Sequence, residues 1–490
     1  MPYKPTIGLE IHSELKTNSK MFCSCKNDPN EHCPNINICP TCTAQPGTLP
    51  VINEEAVRKV IKTGLAVDCE IPNYSKFDRK NYFYPDIPKG YQISQYDKPL
   101  CQKGFLNIDG NKIKITRVHL EEDTGRLVHP KGEDYSLIDF NRAGVPLMEL
   151  VTEPDIKTAI EAKRFAEELQ LIFRYLDVSS ADMEKGQMRV EANISISKDN
   201  KLGTKVEIKN LNSFKAVEKG IEYEIERQKE LLESGEKIIQ ETRGWDEVKN
   251  KTFSQREKEE AHDYRYFPEP DLPSLNHTDS FIKEIKSEIF ELPSQKRERF
   301  KKEYSLNEKE VEVLIRNKKM CDYFEKVVSE LADWMVSLEG EKSLSGDKFL
   351  KLVKLCVNYL TTDLQGILEK ISIDSKEFLI TPENFSEFII LINKGEISSK
   401  IAKIVLLDML KTGADPSHII KEKELVQISD ILEIESIIND IILANPKVVE
   451  DYKKGKENSF QYLIGQVMAK TKGKADPKVV NDSLKKLLTK

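Results

Sequence analysis

A chain of 490 residues has room for two to four domains, each with its own buried core. Its 32% charged and 39% hydrophobic residues are an ordinary globular mix, and a net charge of -7 argues against a globally basic nucleic-acid binder. No basic-then-apolar leader follows Met1 and no run of about 18 apolar residues occurs, so neither secretion nor a membrane span is expected and the cytoplasm is the predicted location.

In chain order, Ile7 to His12 alternates: Ile7, Leu9 and Ile11 point one way, Glu10 and His12 the other, the pattern of a half-buried strand. From Phe77 to Tyr96, basic, aromatic and amide side chains interleave without amphipathic period. Arg117 to Asp123 closes a strand on three successive acids, and Asn141 to Glu149 places another acid at the end of an apolar run. Asp155 is the expected N-cap of a helix whose apolar stripe is Ile160, Phe165, Leu169, Ile172 and Leu176. Arg189 to Ile196 alternates again, with Val190, Ala192, Ile194 and Ile196 inward and Arg189, Glu191 and Asn193 outward. Val206 and Ile208 repeat the pattern against Lys205, Glu207 and Lys209. Ser213 caps a second helix, with Val217, Ile221, Ile225, Gln228 and Leu232 on one face and Gly235 ending it. Asp263 to Pro273 carries three prolines and reads as extended loop.

Beyond Leu292, glycine and proline thin out and helix follows helix, broken at Lys394-Gly395 and at Thr412 to Pro416. The expected fold class is α+β. A large, mainly antiparallel sheet with helices on one side fills 1–292, an all-helical domain follows at 293–405, and a helical tail at 406–490. From Asn445 to Lys490, eleven lysines stand against five acids, a net +6 on an otherwise acidic chain. Such a module suits a phosphate backbone, with Lys470, Lys472 and Lys474 as candidate contacts, and equally suits a solvated lysine-rich helix.

Five of the nine cysteines fall within twenty residues. Cys23-Ser-Cys25 and Cys39-Pro-Thr-Cys42 are two short thiolate pairs, the arrangement that presents four soft ligands to zinc. Four thiolates leave no place for water, so the metal would be structural, and Cys33 is an alternative to Cys25. A redox C-x-x-C is disfavoured because no thioredoxin-like βαβ context follows it.

Glu10 and His12 project from one strand face, a pairing that suits a divalent cation or a solvated sheet surface. Three adjacent acids at Glu121 to Asp123 need solvent or a cation. The segment with Lys80 and Tyr82 offers rings for stacking and cations for phosphate. Neither a P-loop nor a dinucleotide fingerprint is present, and there is no G-x-S-x-G elbow.

At these residues the chain resembles the GatB family, the B subunits of the aspartyl/glutamyl-tRNA amidotransferases. IGLEIHSELKT at 7–17, SKFDRKNYFYPDIPKGYQISQYDKP at 75–99, HLEEDTGR at 119–126 and DFNRAGVPLMELVTEPDI at 139–156 carry the resemblance. GTKVEIKNLNSF at 203–214, QETRGWDE at 240–247, DYRYFPEPDLP at 263–273 and GQVMAKTKGKADP at 465–477 extend it nearly full length. The resemblance implies a cradle-shaped N-terminal kinase domain, a helical domain and a helical tail that binds tRNA. It implies ATP-dependent phosphorylation of the side-chain carboxylate of Glu-tRNA or Asp-tRNA, then attack by ammonia. Carried over by position, Glu10, His12, Glu122 and Glu149 would hold magnesium, and Cys23, Cys25, Cys39 and Cys42 zinc. Plain alternation puts Glu121 rather than Glu122 on the face with Arg117 and His119, so the carry-over needs a bulge or strand end near Leu120. Lys80, Tyr82, Arg142 and Arg265 are expected at ATP on chemical grounds. Ammonia would come from a partner amidase (glutaminase), with a small linking subunit as the third member of the assembly. The face around Arg189, Glu191, Glu207 and Lys209 would line its passage or be plain sheet surface. Two other classes compete: a stand-alone metal-dependent hydrolase, which needs no ATP, and a non-catalytic tRNA-binding adaptor, which needs no acids.

Overall fold

The computed structural model describes residues 2–199, 201–257, 264–339, 346–368, 371–425, 431–471, 474–475 and 477–488. The chain forms two compact units, Met1–Pro293 and Ser294–Lys490.

The strands of the first unit are β1 (Lys4–Glu14), β2 (Tyr74–Ser75), β3 (Asp78–Asn81), β4 (Tyr91–Ser94), β5 (Cys101–Ile108), β6 (Asn111–Glu122), β7 (Arg126–Val128) and β8 (Leu137–Asp139). They continue with β9 (Pro146–Thr152), β10 (Met188–Ser197), β11 (Val206–Leu211), β12 (Glu241–Asp246), β13 (Lys251–Glu257), β14 (Phe267–Pro268) and β15 (Leu275–Asn276). Eight of them form one sheet in the order β13-β12-β11-β10-β1-β9-β6-β5, antiparallel throughout except for the β11–β12 pair. A three-stranded sheet, β14-β3-β4, includes part of the proline-rich stretch: Phe267 and Pro268 pair with Arg79 and Asp78.

The helices of this unit are α1 (Glu54–Ala66), α2 (Ala159–Tyr175), α3 (Phe214–Glu233) and α4 (Asp279–Ser287). α1, α2 and α3 pack on the large sheet, where Ile7, Leu9, Ile11, Val190, Ala192, Ile194 and Ile208 join Phe165, Leu169, Val217 and Ile221 in one core. Each such Val, Leu, Ile or Phe side chain, taken fully from water, contributes about 1.5–3 kcal/mol. The cap of α2 is Thr158, whose side chain accepts from the Glu161 N–H, and not Asp155. Asp155 instead accepts from the Lys114 N–H at 3.0 Å, tying the helix approach to β6. The helix thus starts later than expected, and Ile160, in its first turn, is exposed. Ser213 does cap α3, and Gly235, at φ 84, follows its end in the left-handed region that glycine adopts without strain.

The second unit is helical: α5 (Pro293–Tyr304), α6 (Glu308–Arg316), α7 (Lys318–Glu339), α8 (Asp347–Asn358), α9 (Gln365–Leu368), α10 (Pro382–Asn393), α11 (Ser399–Thr412), α12 (Pro416–Glu422), α13 (Ile431–Ala444), α14 (Pro446–Lys453), α15 (Glu457–Lys470) and α16 (Pro477–Leu488). A π-helical stretch, Tyr359–Leu364, joins α8 to α9. The division expected between residues 405 and 406 falls inside α11, which packs with α10 and α12. A separate core begins at α13, where Ile434, Ile438, Phe460, Leu463, Val467, Val480 and Leu484 close on one another. The periodic pattern runs unbroken through α11, and its true stop is Gly413, at φ 68. Among the described residues no helix is long and apolar enough to cross a membrane.

Candidate active site

Because α1 to α3 take the apolar face of the large sheet, the residues alternating with that core share the opposite face. Register then decides what meets there. His12 on β1 stands opposite Arg189 on β10 and Glu149 on β9, and Glu149 stands opposite His119 on β6. Four neighbouring strands therefore present Arg189, His12, Glu149 and His119 in one row.

His12, Glu121 and Glu149 each offer a ligand atom within 4.8 Å of the others. His12 Nε2 lies 3.4 Å from Glu149 and 4.0 Å from Glu121. His119 Nε2 lies 3.2 Å from Glu149 and 3.8 Å from Glu121. The Ser94 hydroxyl donates to Glu121 at 2.9 Å, so β4 of the small sheet reaches this cluster. Burial pulls the His12 imidazole toward its neutral form, but the Glu149 and Glu121 carboxylates outweigh it and raise its pKa to about 9. Burial likewise penalises charged Glu149, yet His119 and His12 hold it well below the usual carboxylate range. At neutral pH the two carboxylates are thus anions and His12 an imidazolium, while the same carboxylates raise the pKa of His119 against its burial.

Lys80 adds a cation. Burial opposes its charge, but Glu121 and Glu149 raise its pKa above the ordinary lysine value. Its ammonium sits 5.3 Å from the centre of the Tyr264 ring, and Tyr264 meets both Tyr82 and Tyr266 edge to face. Tyr266 stacks on Tyr96 at 4.2 Å.

A second group gathers beside the first. Glu10, Glu191 and Glu207 also lie within 4.8 Å of one another. Asn193 donates to Glu10 at 2.8 Å, and the Lys209 ammonium pairs with Glu191 at 2.9 Å and Glu207 at 3.5 Å. Burial, then Glu149 and Glu191, raise the pKa of Glu10. The face expected around Arg189, Glu191, Glu207 and Lys209 is therefore contiguous with the cluster, and Arg189 closes it with a 2.7 Å pair to Asp123.

Several expected residues lie elsewhere. Glu122 faces away from His12. It pairs with Lys89 at 2.6 Å and accepts from the Ile93 N–H at 2.9 Å, lining a cavity of about 210 Å³ with Cys42 and Gly144. The bulge that would have turned Glu122 inward is absent from Leu120; the register shift in β6 lies between Ile115 and Arg117. Glu121 takes its place, as strict alternation from His119 demands. Arg142 is committed to the Thr124 and Gly125 carbonyls, at 3.0 and 2.9 Å, and faces Asp123 at 3.6 Å. Arg265 is exposed at a positive φ of 43, and its carbonyl accepts from Asn81. In the tail, Lys470 pairs with Asp440 at 2.8 Å, Lys474 is half-buried, and Lys472 lies outside the described residues. Glu191, Glu207 and His119 were legible only as outward positions of alternating strands; their convergence needs the register.

The cysteines also converge. Cys23, Cys25, Cys39 and Cys42 place their sulfurs within 4.8 Å of one another, close to the edge of about 3.8 Å that a tetrahedron of about 2.3 Å zinc–sulfur bonds requires. The Cys39 N–H points at the Cys42 sulfur from 3.2 Å. Cys33 is exposed and outside the group, so Cys25 is the fourth thiol. A hydrogen bond from Cys23 is the main reason that the Cys42 pKa falls to about 4. Four sulfurs gathered so closely fit a soft cation.

Comparison with known proteins decides the family. The family described as the GatB/GatE catalytic domain matches residues 5–283, and that described as the GatB domain matches 347–488. Among curated proteins, the B subunit of the aspartyl/glutamyl-tRNA(Asn/Gln) amidotransferase of Persephonella marina is 48% identical over 494 residues, covering all of both chains. The proteins of that name from Thermotoga petrophila and Caldicellulosiruptor saccharolyticus are each 47% identical, covering this whole chain and 99% and 100% of theirs. The chain belongs to the GatB family of aspartyl/glutamyl-tRNA amidotransferase subunits. The stretch matching the GatB/GatE catalytic domain contains both acid groups, the cysteine group and Lys80, whereas the GatB-domain stretch contains none of them.

Proposed function

We propose that this protein activates the side-chain carboxylate of Glu or Asp esterified to tRNA, at the cluster of His12, Glu121 and Glu149, within a cytoplasmic amidotransferase. The convergence of those three ligands beside Lys80 is the observation that carries the reading. A carboxylate is a poor acyl donor because it would have to expel oxide. Attack of its oxygen on the terminal phosphorus of ATP forms an acyl phosphate as the bond to ADP breaks. Ammonia then adds to the acyl carbon, the bond to phosphate oxygen breaks, inorganic phosphate leaves, and the nitrogen sheds a proton. Such transfers depend on positioning and charge neutralisation more than on covalent help.

His12, Glu121 and Glu149 would hold magnesium: two carboxylates and an imidazole leave positions for water and phosphate, as this ion prefers. Glu10, Glu191 and Glu207 can take a second cation once Lys209 yields. Bound there, magnesium supplies positive charge to the phosphates. His119 fixes the Glu149 carboxylate from the side, and Ser94 fixes Glu121. Lys80 meets phosphate or substrate carboxylate oxygens, and Tyr82, Tyr264 and Tyr266 shape the space around it. Cys23, Cys25, Cys39 and Cys42 would hold a structural zinc. The sequence shows no nucleophile–base pair suited to glutamine hydrolysis, so ammonia is supplied by an amidase partner, joined by a small third subunit. The basic tail, including Lys470, Lys472 and Lys474, contacts tRNA.

The test is ATP cleavage by the assembled enzyme with and without Glu-tRNA. Wild type cleaves ATP only with the charged tRNA, and His12→Ala and Glu149→Gln do not. Metal-dependent hydrolysis without ATP would favour a stand-alone hydrolase, and unchanged cleavage in both variants would favour an adaptor.

A further inference from the structure

One buried charge has no part in that chemistry. Lys20 is 0% exposed, among the largest fully enclosed side chains in the chain. Its ammonium donates to the Cys42 sulfur at 3.7 Å and to the Phe140 carbonyl at 3.2 Å. Among the described residues no carboxylate oxygen lies within 4.0 Å of it. Lysine is almost never fully buried unless paired, because an enclosed ammonium loses its hydration. A carbonyl dipole satisfies one proton but balances no charge. Besides that carbonyl, the group that Lys20 touches is the Cys42 sulfur.

The same residue stands where two loops are sewn together. The Met21 N–H donates to the Gly144 carbonyl at 2.7 Å. The Asn141 side chain accepts from the Ile36 and Asn37 N–H groups at 2.8 and 2.9 Å and donates to the Cys33 carbonyl at 2.7 Å. Gly144, at φ +84, lets the loop close on the knuckle: a Cβ there would sit 3.5 Å from Cys42 and 3.7 Å from the Lys20 stem. The loop continues into β9 and Glu149, and the Asp123 N–H, just beyond Glu121, donates to the Val145 carbonyl at 2.8 Å.

We infer that Lys20 is the built-in counter-ion of the four-cysteine site and the strap by which that site holds the 139–145 loop ahead of β9. This rests on the zinc reading above. Four thiolates around Zn²⁺ leave a formal charge of -2, and one ammonium against Cys42 halves it. Groups that contact a ligand from behind govern metal affinity by about 10- to 100-fold. Lys20 is a positioning residue: it touches neither substrate nor reacting atoms.

The experiment uses the full chain in its assembled enzyme. Zinc content and chelator competition are measured for wild type, Lys20→Met and Lys20→Arg, and the thiolate-to-metal band is recorded after cobalt substitution. Wild type holds one zinc per chain. Lys20→Met weakens zinc about 10- to 100-fold, moves the cobalt band to longer wavelength as the sulfurs become more electron-rich, and speeds hydrogen exchange at the Met21 amide. Lys20→Arg restores most of the affinity and the band. Should Lys20→Met not fold, Lys20→Gln, polar but uncharged, carries the same expectation. One zinc per chain with unchanged affinity and band in the uncharged variants overturns the counter-ion role alone. Zinc-free wild type overturns the zinc reading, and this inference with it.

Discussion

Of the groups in the first unit that could hold a metal ion, the histidine–carboxylate cluster and the four-cysteine cluster are built in opposite ways. His12, Glu121 and Glu149 come from three neighbouring strands, and the register of one sheet brings them together. Their charges are answered on the spot by His119, Lys80 and each other. Cys23, Cys25, Cys39 and Cys42 come from turns, and Lys20 is the ammonium hydrogen-bonded to one of them. A strand-built, charge-balanced site suits an ion that comes and goes with nucleotide. A turn-built thiol site suits an ion that stays and stands in for the regular structure its segment lacks.

That contrast is sharpest under mutation. Glu149→Gln should lower tRNA-dependent ATP cleavage by at least about 100-fold, while circular dichroism shows the fold retained. Glu121→Gln should fall with it. Glu122→Gln, on the cavity side, should keep at least about ten times more cleavage than Glu121→Gln; equal losses would break the assignment by register. For the knuckle the order of effects reverses. Cys42→Ser should lower the unfolding temperature on the order of 5 °C through lost zinc, as read by calorimetry, whereas stripping magnesium should leave it nearly unchanged.

A smaller effect concerns protons. In magnesium-free protein the His12 imidazole should titrate near pH 9 by NMR. Its folded pKa is raised above its ordinary value, so its contribution to stability is full below about pH 6.5 and is lost as pH rises through about 9. Magnesium, which needs neutral imidazole, should move that midpoint down; a midpoint indifferent to magnesium would break the claim that His12 is a ligand. The smallest effect is expected at exposed Cys33, where Cys33→Ser should leave zinc content unchanged and stability within about 0.5 kcal/mol.

Much of this was readable from residues in order. Alternation in Ile7–His12 and Arg189–Ile196 announced strands with one polar face, and Ser213 announced its helix, because those signals are local. The α2 cap was missed because Asp155 and Thr158 both have capping side chains, and only packing decides that Asp155 serves β6 instead. The cysteine group was legible from spacing, but the choice between Cys25 and Cys33 depends on where an irregular loop turns. The acid site was half legible. Period-two logic puts Glu121 on the face of His119, where the structure has it, whereas family correspondence names Glu122, which in a strand lies on the other face. Lys20 was invisible, since nothing in a sequence says that a lysine will be enclosed.

The most direct test of the central claim is a crystal of the assembled enzyme soaked with manganese and a non-hydrolysable ATP analogue, read by anomalous scattering. The account predicts a peak bounded by His12, Glu121 and Glu149, with Lys80 close to the terminal phosphate. A peak held by Glu122, or nucleotide bound far from these three residues, would contradict it.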